Sequence, residues 1–173
     1  QSARQSGRPV VGILCEFTPR EILMAAGAVP VCLCGGDPAM IPPAEEVLPA
    51  NLCPLIKSTF GYHLTRSNPF LEMADLVVAE TTCDGKKKTY ELMAKSRDLF
   101  VLELPQKSGD ADAFAHWRSQ LDRLKDFLER RYRASLTPDR LREAIGRVNR
   151  YRRLRRQLAE LMSADAPPLT GRE

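Results

Sequence analysis

The chain has 173 residues, five cysteines and a formal charge of +4 from 26 basic and 22 acidic side chains. That length suits one compact domain that needs neither disulfide nor metal merely to stay folded, and so mild a positive charge demands no nucleic-acid partner. No stretch approaches the roughly 18 apolar residues of a membrane span, and no apolar core of signal-peptide length follows the basic opening "QSARQSGRPV". With no export signal and an odd cysteine count, reduced thiols in the cytoplasm are expected, with metal binding as the functional alternative.

"PVVGILC" (9–15) reads as a buried strand. In "TPREILMAAG" (18–27), Thr18 is placed to N-cap a helix, Pro19 suits its first turn, Glu21 completes a capping box and Gly27 stops it. "VPVCLC" (29–34) is a second strand, and the proline-rich "GGDPAMIPPAEEVLPAN" after it is too broken for a long element. "CPLIKSTFGYHLTR" (53–66) reads as a helix, "DLVVAE" (75–80) as a third strand, "KKKTYELMAKS" (86–96) as a helix after an Asp-Gly turn, and "LFVLELP" (99–105) as a fourth strand. Continuous apolar strands alternating with helices predict an α/β fold, a doubly wound, flavodoxin/Rossmann-like four-stranded parallel sheet of order 2-1-3-4.

After Pro105 the texture changes. Phe114, Trp117, Leu121, Leu124 and Leu128 mark one face of a long helix, "LTPDR" breaks it, and Leu141, Ile145, Val148, Tyr151, Leu154, Leu158 and Leu161 mark a second. The expected organisation is an α/β domain over 1–105, a helical hairpin over 106–163 packed on the sheet layer or on a partner, and a linker over 164–173 to a second α/β domain.

On this fold every cysteine maps to the carboxyl edge of the sheet, where open α/β folds bind ligands. Cys15 ends strand one, Cys32 and Cys34 lie in the tail of strand two, Cys53 precedes the second helix and Cys83 follows strand three. Strands one and three flank the switch point, so Cys15 and Cys83 would face one crevice and Cys53 would enter it from above. Helix N-termini favour thiolates, and three converging thiolates suit an iron–sulfur cluster. The plain reading competes, because free cysteine is a common buried hydrophobe; Cys32 is expected in the core, and Cys34 stands between the two readings. The histidines, His63 and His116, read as surface residues away from the rim, which disfavours zinc.

Lys86, Lys87 and Lys88 open a helix against its macrodipole, which favours a contact with phosphate or with an acidic activator over a solvated turn. Arg147, Arg150, Arg152, Arg153, Arg155 and Arg156 form a dense basic patch that reads as a solvated or protein-docking face. No stacking platform or recognition motif accompanies it, and no phosphate-binding glycine loop occurs anywhere.

"GILCEFTPREILMAAGAVPVCL", "LPANLCPLIKS", "DLVVAETTCDGKKKTYEL" and "VLELP", in that order, resemble the 2-hydroxyacyl-CoA dehydratase D-component family. That family also holds benzoyl-CoA reductase subunits and double-cubane cluster proteins, and "ETTCDGKKK" is most similar to the double-cubane branch. The resemblance implies a cysteine-ligated iron–sulfur cluster, of [4Fe-4S] or double-cubane type, reduced at low potential by a separate ATP-hydrolysing activator. In dehydratase members the electron goes to an acyl-CoA and enables radical loss of water; in double-cubane members small molecules are reduced. By motif, Cys15 and Cys53 match ligands and Cys83 is the third candidate. Members of the family are about twice this length and carry a second α/β domain, so these residues alone are not expected to catalyse, and a dimer is expected. The alternatives are a non-enzymatic flavodoxin-like binding or assembly domain with inert thiols, and a thiol-redox protein acting through Cys83.

Overall fold

A computed structural model describes residues 6–170. Four parallel strands form one sheet: β1 (Val10–Ile13), β2 (Val29–Cys32), β3 (Leu76–Glu80) and β4 (Leu99–Leu102), in the order β2-β1-β3-β4. This is the expected doubly wound arrangement. The strands stop short of the expected ends, so Leu14, Cys15, Leu33 and Cys34 lie in the loops beyond them. β2 is an edge strand, and Pro30 at its centre removes a backbone donor that would otherwise face outward.

Alternation along the strands divides the core. Val11, Ile13, Leu76 and Val78 point to one face, covered by α1 (Arg20–Ala25), α6 (Ala111–Tyr132) and α7 (Pro138–Met162), with Leu23, Leu124, Leu128 and Ala144 as the main buried partners. Val77 and Ala79 point to the other, covered by α2 (Ile41–Glu45), α3 (Pro54–Thr65), α4 (Pro69–Met73) and α5 (Asp84–Met93). Gly12 opens room for this second layer, since a Cβ there would sit 2.2 Å from the Leu33 side chain. The long helices therefore pack on the sheet layer: α6 against β4, and the first half of α7 against α1.

Several local expectations need correction. Thr18 does not cap α1; Pro19 holds that position without a side-chain bond, and the Thr18 hydroxyl donates instead to Glu80 Oε1 at 2.5 Å. Glu21 makes no capping box, because Arg152 of α7 takes its carboxylate at 2.8 Å. Gly27 does end the helix, in a left-handed conformation at φ +87°. Asp84 and Gly85 are not a separate turn but the first turn of α5, with Cys83 at its N-cap. The proline-rich segment contains a 3₁₀ turn, Pro38–Met40, and the short α2. Phe114 is solvent-exposed, because Ala113 and Gln120 face the sheet in its place. On α7 the buried face is Ala144 and Val148, while Ile145, Tyr151, Leu154, Leu158 and Leu161 are exposed.

His63 is buried, contrary to the surface reading. Its Nδ1 accepts from Arg97 Nε at 2.9 Å, and Arg97 also donates to the Leu71 carbonyl and pairs with Glu72. Burial, reinforced by the Arg97 charge, holds the imidazole below its ordinary value. The unfolded chain takes this proton first, so stability is lost as pH falls from about 6.5 toward the lower folded value. In His63→Gln that acid-side loss should shrink by about 1 kcal/mol, the worth of one such bond. Urea midpoints of the two proteins that run parallel from about pH 7.5, one unit above the ordinary histidine value, down to about pH 5 would refute the assignment.

Candidate functional site

The β1–α1 and β3–α5 loops leave adjacent strands side by side at the carboxyl edge of the sheet, and this builds the site. Cys15 lies two residues beyond β1, half-buried. Lys86, in the first turn of α5, reaches back to it, with Nζ 3.1 Å from Cys15 Sγ and 3.3 Å from the Leu14 carbonyl oxygen. Cys34 Sγ donates to that same carbonyl at 2.8 Å. Thr82, beside Cys83, places Oγ1 4.0 Å from Cys15 Sγ. One thiol, Cys34, and the Lys86 ammonium thus share a single backbone carbonyl, and the ammonium ties the Cys15 thiol to them.

The electrostatics follow from that crowding. Burial lowers the Lys86 ammonium, but the hydrogen bond and charge of Cys15 outweigh it and leave the group above an ordinary lysine. Cys34 is exposed as a residue, yet its sulfur turns inward, and the loss of solvent pushes its thiol up despite Lys86. The cost of a cation near a helix N-terminus is met here by the sulfur it faces. Lys87 and Lys88 behave differently: they pair within α5, with Asp84 at 3.1 Å and Glu91 at 2.5 Å. Of the lysine run, Lys86 is the member that enters the cysteine cluster.

Cys53 and Cys83 occupy matching positions, each the exposed N-cap of a helix and each without a side-chain capping bond. Their helices abut, because a Cβ on Gly85 would lie 2.7 Å from Leu52 and 3.1 Å from Ile56. Leu55 and Ile56 of α3 line a small recess of about 20 Å³ with Cys34, Lys86 and Tyr90. The connection into Cys53 is tied down by Lys57, a buried side chain whose Nζ bonds Glu45 at 2.5 Å and the Ala50 carbonyl at 2.6 Å. Cys32, expected in the core, is exposed at the end of the edge strand, 3.6 Å from Arg20 Nη2. His116 lies nearer the rim than expected, its Nε2 3.1 Å from the Glu103 carbonyl beyond β4.

All five cysteines are free thiols. Among the described residues no three cysteine, histidine or acidic side chains gather closely enough to hold a metal ion. The structure therefore brings Cys15 and Cys34 together with Lys86, and sets Cys53 and Cys83 on neighbouring helix ends, without closing the set. The donors agree in kind with an iron–sulfur cluster: soft sulfurs, at a rim with free helix N–H groups and one ammonium.

Sequence reasoning missed Glu80, the last residue of β3. Its carboxyl is fully buried, Oε1 accepts from Thr18, and Oε2 has no partner. Tyr90 donates to the Glu80 backbone carbonyl at 3.1 Å, and burial pushes that phenol well up. Loss of solvent also pushes the Glu80 carboxyl up, against the pull of Thr18 and Lys86. The signal lay in the pattern "LVVAE", where a charged residue occupies the core-facing register of Leu76 and Val78.

A doubly wound α/β domain with a thiol-bearing rim at its switch point is the class that this geometry defines. The 2-hydroxyglutaryl-CoA dehydratase D-component model matches residues 15–173, and the chain belongs to that family. It is 44% identical, over 168 residues and 97% of its length, to a protein of Escherichia coli (strain K12) named as a dehydratase subunit, YjiM, of which it covers 44%. It is 25% identical to a benzoyl-CoA reductase subunit of Thauera aromatica, across 91% of this chain and 41% of that one. It is 23% identical to the (R)-phenyllactyl-CoA dehydratase beta subunit of Clostridium sporogenes, across 92% and 42%. The chain thus spans less than half the length of these curated relatives. No helix among the described residues is long and apolar enough to cross a membrane.

Proposed function

We propose that this chain is the cysteine-bearing α/β part of a low-potential reductase or dehydratase subunit, with an iron–sulfur cluster held by Cys15, Cys53 and Cys83. The observation that carries the reading is the set of free thiols at the switch point, with Lys86 3.1 Å from Cys15 and Cys83 on the helix that carries Lys86. Such a cluster would supply single electrons at low potential. Within this chain, Lys86 offsets negative charge at Cys15, and the open N-termini of α3 and α5 offer N–H donors to sulfur. The three thiols are not gathered into a closed set, so the remaining ligation and the exclusion of water fall to a second α/β domain or a partner subunit. The relatives named as subunits support such a partner. An ATP-hydrolysing activator would deliver the electron, and an acyl-CoA or another small molecule would receive it.

The test is iron and acid-labile sulfide content of the full-length protein, purified without oxygen, beside Cys15→Ser, Cys53→Ser and Cys83→Ser. Iron and sulfide in the parent, with each substitution removing at least half, is the expected result. Retention in Cys83→Ser alone would strike Cys83 from the ligand set. No iron in the full-length protein after anaerobic reconstitution would sink the reading and return the chain to a binding or assembly domain.

A further inference from the structure

A groove of about 410 Å³ runs along the flank of the domain, between α1, the edge strand β2 and the middle of α7. Five arginines line it: Arg8, Arg20, Arg147, Arg152 and Arg155. Two carboxylates face them, and both are taken, Glu16 by Arg20 at 3.5 Å and Glu21 by Arg152 at 2.8 Å. Arg8 is turned to the Gly27 carbonyl at 3.3 Å. Among the described residues the side chains of Arg147 and Arg155, inside α7, have no carboxylate partner and no hydrogen bond. The groove therefore carries uncompensated positive charge on three side chains, Arg8, Arg147 and Arg155, of which the last two also lack any side-chain hydrogen bond.

Those two stand on one face of α7 with Tyr151 midway between them, at spacings of four and four. At 1.5 Å per residue they are about 12 Å apart along the axis. Tyr151 is 67% exposed although it borders an apolar floor that includes Ile13, Met24 and Val148. An exposed aromatic ring between two unpaired guanidinium groups, over an apolar floor, offers a stacking face flanked by bidentate anion donors. The volume lies within the usual range for small-molecule sites.

We propose that this groove binds a phosphorylated ligand of nucleotide size, with its phosphates on Arg147 and Arg155 and its aromatic ring on Tyr151. The site lies on the flank of the sheet; it reaches Glu16, next to Cys15, and Cys32, but neither Cys15, Cys34 nor Lys86 lines it, and it does not depend on a cluster being present. Recognition comes from side chains of a helix rather than from a glycine loop, which is why no phosphate-loop motif appears in the sequence.

The experiment is calorimetric titration of the full-length protein at low salt with ADP and, separately, with inorganic pyrophosphate. Arg147→Ala/Arg155→Ala should weaken both ligands at least tenfold. Tyr151→Ala should weaken ADP at least threefold and leave pyrophosphate within twofold. Arg142→Ala removes one positive charge from the same helix outside the groove, and should change neither ligand by more than twofold, whereas Arg147→Ala alone, also one charge, should weaken both more than that. All these positions are exposed, so circular dichroism should be unchanged. The proposal fails if the parent shows no saturable ADP binding, if the double variant binds as the parent does, or if Arg142→Ala weakens binding as much as the double variant.

Discussion

Gly61→Ala is expected to cost about 3 kcal/mol of stability, the upper end for forcing an extra methyl into a packed interior. Gly61 lies inside α3, where alanine would ordinarily gain about 1 kcal/mol over glycine. Here a Cβ would fall 1.8 Å from the Met40 carbonyl oxygen and 2.8 Å from its carbon. Both are backbone atoms of the 3₁₀ turn Pro38–Met40 and the start of α2, so no side chain can swing aside. Either α3 moves or that turn does. Because α3 carries Cys53 at its N-cap, the same change should loosen the thiol from the rim and, on the proposed cluster, lower iron retention. Gly146→Ala on α7 is the control: nothing lies within 4 Å of its Cβ, and it should stabilise by about 0.5–1 kcal/mol. Urea midpoints of the two variants decide the matter. Equal shifts in the same direction would show that contact at Gly61 does not govern the effect.

The second large effect concerns Glu80 and pH. Its carboxyl is raised by burial, so the folded chain keeps this proton to a higher pH than the unfolded chain does. Between the ordinary glutamate value and the raised one, the folded state binds more protons, and stability falls as pH rises. Ionisation leaves a buried charge with one oxygen, Oε2, bare, and an unsatisfied buried group costs about 1–3 kcal/mol. The parent should therefore lose that amount relative to Glu80→Gln as pH is raised from about 5 to 8, with the Thr18 hydroxyl still donating to the amide oxygen. Thermal unfolding of the metal-free proteins across that range is the measurement. Parallel profiles would mean that burial of Glu80 makes no pH-dependent contribution to stability in that range, against the assignment.

Gly61 does not stand out in the chain, and Glu80 does so only as a charge in the strand register, because both effects arise between segments. Periodicity of two and of 3.6 is local, so the strands, the main helices, the switch-point order and the rim position of the cysteines follow from the sequence. The apolar runs overstate the strand ends because Leu14 and Leu33 are apolar for packing, and such a run does not reveal where its ladder hydrogen bonds stop. Nothing local tells an edge strand from a central one, so the pattern around Cys32 points to the core. His63 resembles a lone surface residue because its partner, Arg97, comes from a distant segment.

Family membership was legible from motifs in order, "LCEFTPRE", "NLCPLIKS" and "TTCDGKKK", since chemistry at a rim is written in short segments after strands. The tertiary structure alone decided which lysine of the run meets Cys15, and that Cys34 shares the Leu14 carbonyl with that lysine. It alone showed that Thr18 serves Glu80 rather than its own helix, and that Arg147, Tyr151 and Arg155 face a groove. Each of these is a contact between segments far apart in the chain, set by how helices of different layers pack, and no local periodicity encodes that distance.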